Sequence, residues 1–202
     1  MWNVNDVTSK IRKFVLSGLL LFCVLTVGSI AGLTQEKPKT QKIDATAMGT
    51  STQLGKTIQV SLYIYDYSTE DDRQILIKAF ENGKNQGLVN ALEKMKAVGR
   101  IAISGTLGYD LSYIRLIPTP TGRKIRFITN RLLRFGENYY STRTVDYNLT
   151  GGELDLNEKD KDKSAGVLYP AARLRLDKDK QLSLDLNQNP WKLINIIDWA
   201  TE

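Results

Sequence analysis

The chain has 202 residues, and its 28 basic and 22 acidic side chains give a formal net charge of +6, with no histidine and one cysteine, Cys23. Without histidine the chain cannot form Ser–His–Asp or Cys–His catalytic groups, and one thiol cannot complete a zinc site of the common kinds. Carboxylate, lysine or tyrosine chemistry, calcium binding through oxygen ligands, or no chemistry at all remain open.

The N-terminal segment has the order of an export signal. Three basic residues precede an uncharged, mainly apolar run at residues 14–27, and Ser29 and Ala31 supply the small side chains of a cleavage site. We therefore expect a signal peptide at residues 1–31 and an exported protein, periplasmic or secreted. If residues 28–33 are added, the run reaches twenty residues, which is about the length that spans a bilayer. An inner-membrane anchor at residues 14–33 is therefore the alternative.

The polar residues 32–42 predict a flexible tether, and residues 43–202 then form a single β-rich domain. The clearest strand lies at residues 57–67, where aliphatic residues alternate with polar and aromatic ones, as in an antiparallel strand with one buried face. Cleavage of the leader would remove Cys23, so we expect no disulfide in this domain.

A helical region is predicted after this strand. Ser68 is the expected N-cap, because three acidic residues follow it in the first turn, where carboxylates are favoured. Apolar residues recur with helical spacing on both sides of Asn82-Gly83, a pair typical of helix ends. The pattern therefore predicts an inserted two-helix hairpin, with its second helix at residues 86–95.

Strands and turns make up the rest of the chain. Residues 107–117 predict one long strand, and residues 124–129 its hairpin partner across a turn with proline and glycine. Leucines alternate with polar residues at 154–156, 174–176 and 182–186, which is typical of antiparallel strands with one solvated face. The predicted fold class is therefore α+β. It consists of a mainly antiparallel sheet, barrel- or sandwich-like, with the two-helix hairpin, preceded by an N-terminal signal or anchor helix.

One basic and aromatic cluster is the first place where we expect a ligand site. Arg131, Arg134 and Arg143 surround Tyr139 and Tyr140 in a segment with no clear helix or strand pattern. Irregular segments often carry binding residues. We therefore predict these five residues as ligand-binding residues.

We expect no metal ion, no cofactor and no nucleic acid. The acidic residues of the loop at 157–164 alternate with lysines, and the loop lacks the glycine of an EF-hand turn, which favours a solvated turn over a calcium site. Without its leader the chain would have 25 basic and 21 acidic residues and no uninterrupted basic block. That charge pattern disfavours a nucleic-acid partner.

Several segments within residues 55–187 resemble a family of uncharacterised secreted bacterial proteins. The resemblance rests on the strand TIQVSLYIYDY, the helical region after it, the GRI and GYDL motifs at Gly99 and Gly108, a Thr-x-Arg triplet and the PAA motif at Pro170. It implies export and a single domain. The family has no assigned activity, so the resemblance implies no mechanism.

These features favour a non-catalytic exported protein that binds a small amphipathic ligand or an envelope partner. If the sheet closes, its interior would be the pocket. The alternative is a carboxylate-dependent hydrolase acting on envelope or extracellular sugars, since two acids suffice for that chemistry. A structural envelope component is the second alternative. We expect contact with the membrane only through an uncleaved N-terminal segment.

Overall fold

The computed structural model describes residues 40–133, 147–176 and 182–200, which belong to the unit Pro38–Glu202. The predicted leader, with its signal or anchor helix, lies outside the described residues and stays a prediction. The first strand begins at Gln41, one residue before the predicted end of the tether at residue 42. Within the described part of the chain, no helix has both the length and the apolar character needed to cross a membrane.

The described residues form ten strands and one α-helix. In chain order they are β1 (Gln41–Met48), β2 (Thr57–Ile64), α1 (Glu70–Lys94), β3 (Gly99–Ile103), β4 (Tyr109–Leu111), β5 (Tyr113–Thr119), β6 (Gly122–Thr129), β7 (Leu149–Asn157), β8 (Ala165–Leu176), β9 (Leu182–Leu186) and β10 (Trp191–Asp198). Short 3₁₀ turns lie at Ser51–Gln53 and Lys161–Lys163.

The strands form one antiparallel sheet in the order β4-β3-β2-β1-β10-β8-β7-β6-β5, and β9 pairs with the far half of β8. Although β4 and β5 are neighbours in the chain, they lie at opposite ends of this order. The sheet therefore curls into a nearly closed barrel. The predicted mainly antiparallel α+β fold is confirmed, and of the two predicted forms, barrel or sandwich, the sheet takes the barrel form.

The barrel closes around a break in one strand. Residues 107–117, predicted as a single strand, are divided at Ser112 into β4, which pairs with β3, and β5, which pairs with β6. Thr129 at the end of β6 donates its hydroxyl to the Asp110 carbonyl oxygen of β4 at 2.8 Å. Ser68 supplies the other bridge, because its N–H donates to the Ile114 carbonyl oxygen at 2.8 Å and its Oγ accepts from the Ile114 N–H at 3.0 Å.

The side chains that face into the barrel pack in one buried cluster. On β1 and β2 every second residue contributes to it, because alternate side chains point to opposite faces of a sheet. On β1 these residues are Ile43, Ala45 and Ala47, and on β10 they include Trp191, which is fully buried. Among the described residues, the expected ligand pocket inside the barrel is replaced by this packed core.

Helix α1 begins one residue later than the sequence predicts. Thr69, not Ser68, is the N-cap: the Thr69 hydroxyl accepts from the Asp72 N–H at 3.2 Å, and the Asp72 carboxylate accepts from the Thr69 N–H at 2.7 Å. This reciprocal pair is a capping box. Ser68 is not available to the helix, because both its backbone and its hydroxyl bond to Ile114.

The predicted two-helix hairpin is replaced by one helical element with a sharp kink. Asn82 and Gly83, expected to end the first helix, stay inside α1. The backbone leaves helical geometry only at Lys84, with φ 50° and ψ −142°, and becomes helical again after it. A kink at one residue therefore takes the place of a loop between two helices.

Helix α1 packs on the outer face of the barrel through a second buried cluster. The helix contributes Leu76, Phe80, Leu88, Val89 and Leu92, and the strands contribute Tyr113, Ile128, Leu149, Tyr169, Ala172, Leu174 and Leu186. Strands β5 to β8 therefore bury apolar side chains on both faces. On β6, for example, Phe127 points into the barrel and its neighbour Ile128 points out to the helix.

Inside the barrel, the Phe127 ring packs directly over Gly152 of β7. A Cβ atom added to Gly152 would lie 2.3 Å from Phe127 Cζ, which is closer than real Cβ contacts. At the neighbouring Gly151, on the opposite face, the nearest atom to an added Cβ is 3.4 Å away. Phe127 therefore requires glycine at one position of this pair and not at the other.

We predict that Gly152→Ala destabilises the protein by about 1–3 kcal/mol, because the added methyl group overpacks the core. Urea unfolding followed by far-UV circular dichroism measures the change. Gly151→Ala is the matched control and is expected to change the unfolding free energy by less than about 1 kcal/mol. Equal stability of the two variants would contradict the proposed packing of Phe127.

On the barrel exterior, Asp44 joins β1 to β2 and to the end of β10. Its carboxylate accepts from Lys42 Nζ at 2.8 Å, Ser61 Oγ at 2.6 Å and Trp199 Nε1 at 2.8 Å. Burial alone would raise the pKa of Asp44, but these three hydrogen bonds outweigh burial and hold the pKa below its ordinary value. The charged carboxylate therefore stabilises the folded protein.

We predict that Asp44→Asn lowers the unfolding free energy by about 1 kcal/mol at pH 7, because it weakens charge-assisted hydrogen bonds. The folded-state pKa lies below the unfolded value of about 3.9, so the stabilisation is complete above that value and is lost as the pH falls through the folded pKa. Thermal unfolding between pH 7 and pH 2.5 should therefore show the wild type and Asp44→Asn converging at low pH.

Asp162→Asn, an exposed acid in the turn between β7 and β8, is the control and should follow the wild type throughout. A constant gap between the wild type and Asp44→Asn down to the lowest pH would show that the Asp44 charge does not stabilise the fold.

Candidate functional site

A groove of about 500 Å³ lies between helix α1 and the outer face of the barrel. The apolar part of its helix wall consists of Leu76, Ile77, Phe80 and Leu88. Its sheet wall consists of Tyr113 of β5, Ile128 of β6 and Leu174 of β8. Pockets for small ligands commonly have volumes of about 300–1,000 Å³ and apolar walls with few polar groups, and this groove matches both properties.

The kink in α1 shapes the helix wall. Phe80 precedes Lys84 in the chain and Leu88 follows it, so the two arms of the helix both contribute to the wall. The arms approach closely, because a Cβ atom added to Gly87 would lie 2.2 Å from the Ala79 carbonyl oxygen. Only glycine at position 87 permits this approach.

Asn85 fixes the kink to the sheet. Its side-chain oxygen accepts from the Leu174 N–H of β8 at 2.9 Å, and its side-chain amide donates to Asn148 at 2.9 Å. The backbone therefore bends at Lys84, next to the residue whose polar side chain reaches the strands. Helix α1 and strand β8, which both line the groove, are therefore hydrogen-bonded to each other beside it.

One end of the groove is polar and positively charged. Arg73 and Tyr113 line it, and Arg115 and Glu70 lie behind them. Glu70 Oε1 accepts from Arg73 Nη1 at 2.6 Å, whereas Glu70 Oε2 is 3.9 Å from Arg115 Nη2. One carboxylate therefore faces two guanidinium groups, and this end of the groove has an excess of one positive charge.

The Tyr113 hydroxyl belongs to the same end. Burial raises the pKa of Tyr113 above its ordinary value, although the nearby Arg115 and Arg73 oppose the shift. The hydroxyl therefore stays protonated at neutral pH and can donate a hydrogen bond. In contrast, hydrogen bonds from Arg73 and Gln74 hold the pKa of Glu70 below its ordinary value, so its carboxylate stays charged.

The other end of the groove has balanced charge. Lys84 and Glu81 both line it, and Lys84 Nζ lies 3.4 Å from the Glu81 carbonyl oxygen and 6.0 Å from the centre of the Phe80 ring. These contacts place the ammonium group beside an aromatic face and a backbone dipole. The groove is therefore amphipathic along its length, with its positive charge at the Arg73 end.

Of the five predicted ligand-binding residues, only Arg131 belongs to the described part of the chain. Arg134, Tyr139, Tyr140 and Arg143 lie outside the described residues, so the cluster as a whole stays a prediction. Arg131 is exposed and lines a second, more polar cleft of about 340 Å³ near the C-terminal end of α1.

This second cleft also contains two carboxylates, those of Glu93 and Asp110. Both residues are exposed, and Asp110 lies 3.5 Å from the Arg100 guanidinium. A general acid of a glycosidase instead needs surroundings that exclude water. Within the described ranges no three acidic side chains converge as they would around a metal ion.

Comparison of the chain with protein-family models, with curated proteins and with solved structures finds no match. The expected resemblance to secreted bacterial proteins therefore stays a prediction, and the groove has to be interpreted from its own geometry.

The sequence pattern identified the helix wall of the groove but missed its sheet wall. Leu76, Phe80 and Leu88 belong to the predicted apolar stripes of the helical region. Ile128 was missed, although the adjacent pair Phe127-Ile128 is a signal that both faces of β6 are buried. No local sequence signal marks Arg73, because Tyr113 and Arg115 come from a distant part of the chain.

We predict that Gly87→Ala disrupts the groove, because the new Cβ would collide with the Ala79 carbonyl oxygen. The expected cost is about 1–3 kcal/mol in unfolding free energy, measured by urea denaturation. Gly83→Ala is the control, since a Cβ at Gly83 meets no atom within 4 Å. This control should be neutral or more stable by up to about 1 kcal/mol. A Gly87→Ala variant as stable as Gly83→Ala would contradict the close approach of the two arms.

Proposed function

We propose that this protein is a non-catalytic binding module for a small amphipathic ligand, which it holds in the groove between α1 and the barrel. The observation that carries the proposal is an apolar groove of about 500 Å³ that ends at Arg73 and Tyr113. A pocket with this composition favours a ligand with an apolar body and one polar end.

The energetics agree with this assignment. Each methylene group of a ligand that leaves water for an apolar wall contributes about 0.8 kcal/mol. Leu76, Phe80 and Leu88 are already held by the second buried cluster, so their positions are largely set before a ligand binds. A pre-formed wall lowers the entropy cost of binding.

We propose that the protein acts outside the cytoplasm, in the periplasm or beyond it, because the N-terminal segment predicts export.

A carboxylate-dependent hydrolase is less well supported. Its best candidate pair, Glu93 and Asp110, is exposed to solvent, and Asp110 is beside Arg100. Neither carboxylate has the desolvated surroundings that a general acid requires.

We predict that the full chain binds N-phenyl-1-naphthylamine, a neutral apolar fluorophore, and that Ile77→Glu weakens this binding at least about tenfold. Ile77 lines the groove, and a carboxylate there would have to lose its hydration when the probe binds. A fluorescence titration measures the dissociation constant for each variant.

Ile75→Glu is the matched control, because Ile75 lies on the same helix two residues away and is 53% exposed. Its probe affinity should equal that of the wild type. Absence of probe binding to the wild type, or equal loss in both variants, would refute the groove as a ligand site.

A further inference from the structure

We infer that the ligand of this groove is an amphipathic carboxylate, with its alkyl or similarly apolar body along the groove and its carboxylate at Arg73, Arg115 and Tyr113. This inference rests on the proposed function, since it identifies the chemical class of the ligand for the same site. Nothing in the apolar walls alone would select a charged head group, so the selection comes from the polar end.

The two guanidinium groups at this end have unused capacity to bind an anion. Glu70 makes a hydrogen bond of 2.6 Å to Arg73, but its other oxygen is 3.9 Å from Arg115, beyond hydrogen-bond distance. A guanidinium group has five N–H donors arranged to bind a carboxylate through two parallel hydrogen bonds. One Arg115 donor already interacts with the Tyr113 hydroxyl, and the remaining donors can take a second carboxylate without giving up Glu70.

Neighbouring charges on the sheet do not cancel this excess. Arg115 of β5 lies opposite Arg126 of β6, and Arg126 is paired with Glu153 of β7. Lys124 lies 3.1 Å from Glu153 and 3.2 Å from Asp155, so these two cations are balanced by two carboxylates. The sheet beside the groove therefore leaves the excess positive charge of Arg73 and Arg115 over Glu70 uncancelled, which favours an anionic head group.

The geometry also defines the direction of the ligand. At the opposite end, Lys84 and Glu81 have opposite charges and favour neither an anion nor a cation. Between the two ends, Ile128 and Leu174 provide an apolar floor without a charged group. The carboxylate therefore belongs at the Arg73 end, where Tyr113 adds a hydroxyl donor.

The first experiment compares head groups on one alkyl chain. Dodecanoate, dodecanol and dodecylammonium are each titrated against the wild-type full chain with bound N-phenyl-1-naphthylamine, and probe displacement is followed by fluorescence. We expect dodecanoate to displace the probe at a concentration about tenfold lower than dodecanol, because of charge-assisted hydrogen bonds. Dodecylammonium should be the weakest.

The outcomes separate this inference from the proposed function. Two results would overturn the carboxylate assignment but leave the groove as a ligand site. One is displacement by dodecanol at the same concentration as dodecanoate, and the other is stronger displacement by dodecylammonium than by dodecanoate. If none of the three compounds displaces the probe, or the wild type does not bind the probe, both proposals are wrong.

The second experiment removes one charge at a time. Arg73→Gln and Arg115→Gln should each weaken dodecanoate about three- to tenfold more than they weaken dodecanol. Both side chains are 39% exposed, so neither substitution should unfold the protein, and retained binding of the neutral probe reports an intact groove. Arg115→Lys should recover part of the dodecanoate affinity, because it restores the charge without the planar donors.

Arg100→Gln is the matched control, since it removes the same charge and an ion pair, with Asp110, outside the groove. Its dodecanoate affinity should equal that of the wild type. An equal decrease for Arg100→Gln and Arg115→Gln would show that only the net charge of the protein matters, and would overturn the assignment of the head-group site.

Discussion

Strands β5 to β8 bury apolar side chains on both of their faces, and the positions of the core, the helix and the groove all depend on this constraint. The inner face of a curled sheet is covered by the sheet itself, and here Ile125 and Phe127 lie in that core. The outer face, with Ile128 and Leu174, needs a separate cover, which α1 supplies. Helix α1 is a cylinder with a kink at Lys84, and it cannot cover the curved sheet completely. The gap that remains between them is the groove.

Much of the fold follows from local patterns in the sequence. Leu182–Leu186 is a strand with the bounds that its alternation predicts, and the helical spacing around Leu76 and Leu88 marks the buried side of α1. The break at Ser112 could not be predicted, because it depends on which strands pair on either side of it. The N-cap was predicted at the wrong residue for the same reason. The Ser68 hydroxyl could cap a helix, but it accepts a hydrogen bond from the N–H of a distant residue, Ile114.

The candidate site was harder to predict than the fold, because its parts are distant in the sequence. The expected cluster of Arg131 with two tyrosines depended on residues close together in the chain. The groove instead joins Arg73 of the helix to Arg115 of β5, and their proximity depends on how the helix lies across the strands. A sequence pattern can show that Ile128 faces away from Phe127, but it cannot show which charged side chain of α1 will lie beside it.

A site on the outside of a packed barrel has a different relation to stability from a site in its interior. The core around Trp191 consists of the protein's own buried side chains, and a ligand in the groove would not be part of it. The ligand would contact both α1 and the strands, and it would therefore stabilise mainly the docking of the helix. By linkage, a ligand at one hundred times its dissociation constant adds about 2.7 kcal/mol to the state that binds it. Substitutions in the groove can therefore change affinity while the barrel keeps its stability, whereas substitutions at Phe127 or Gly152 act on the fold itself.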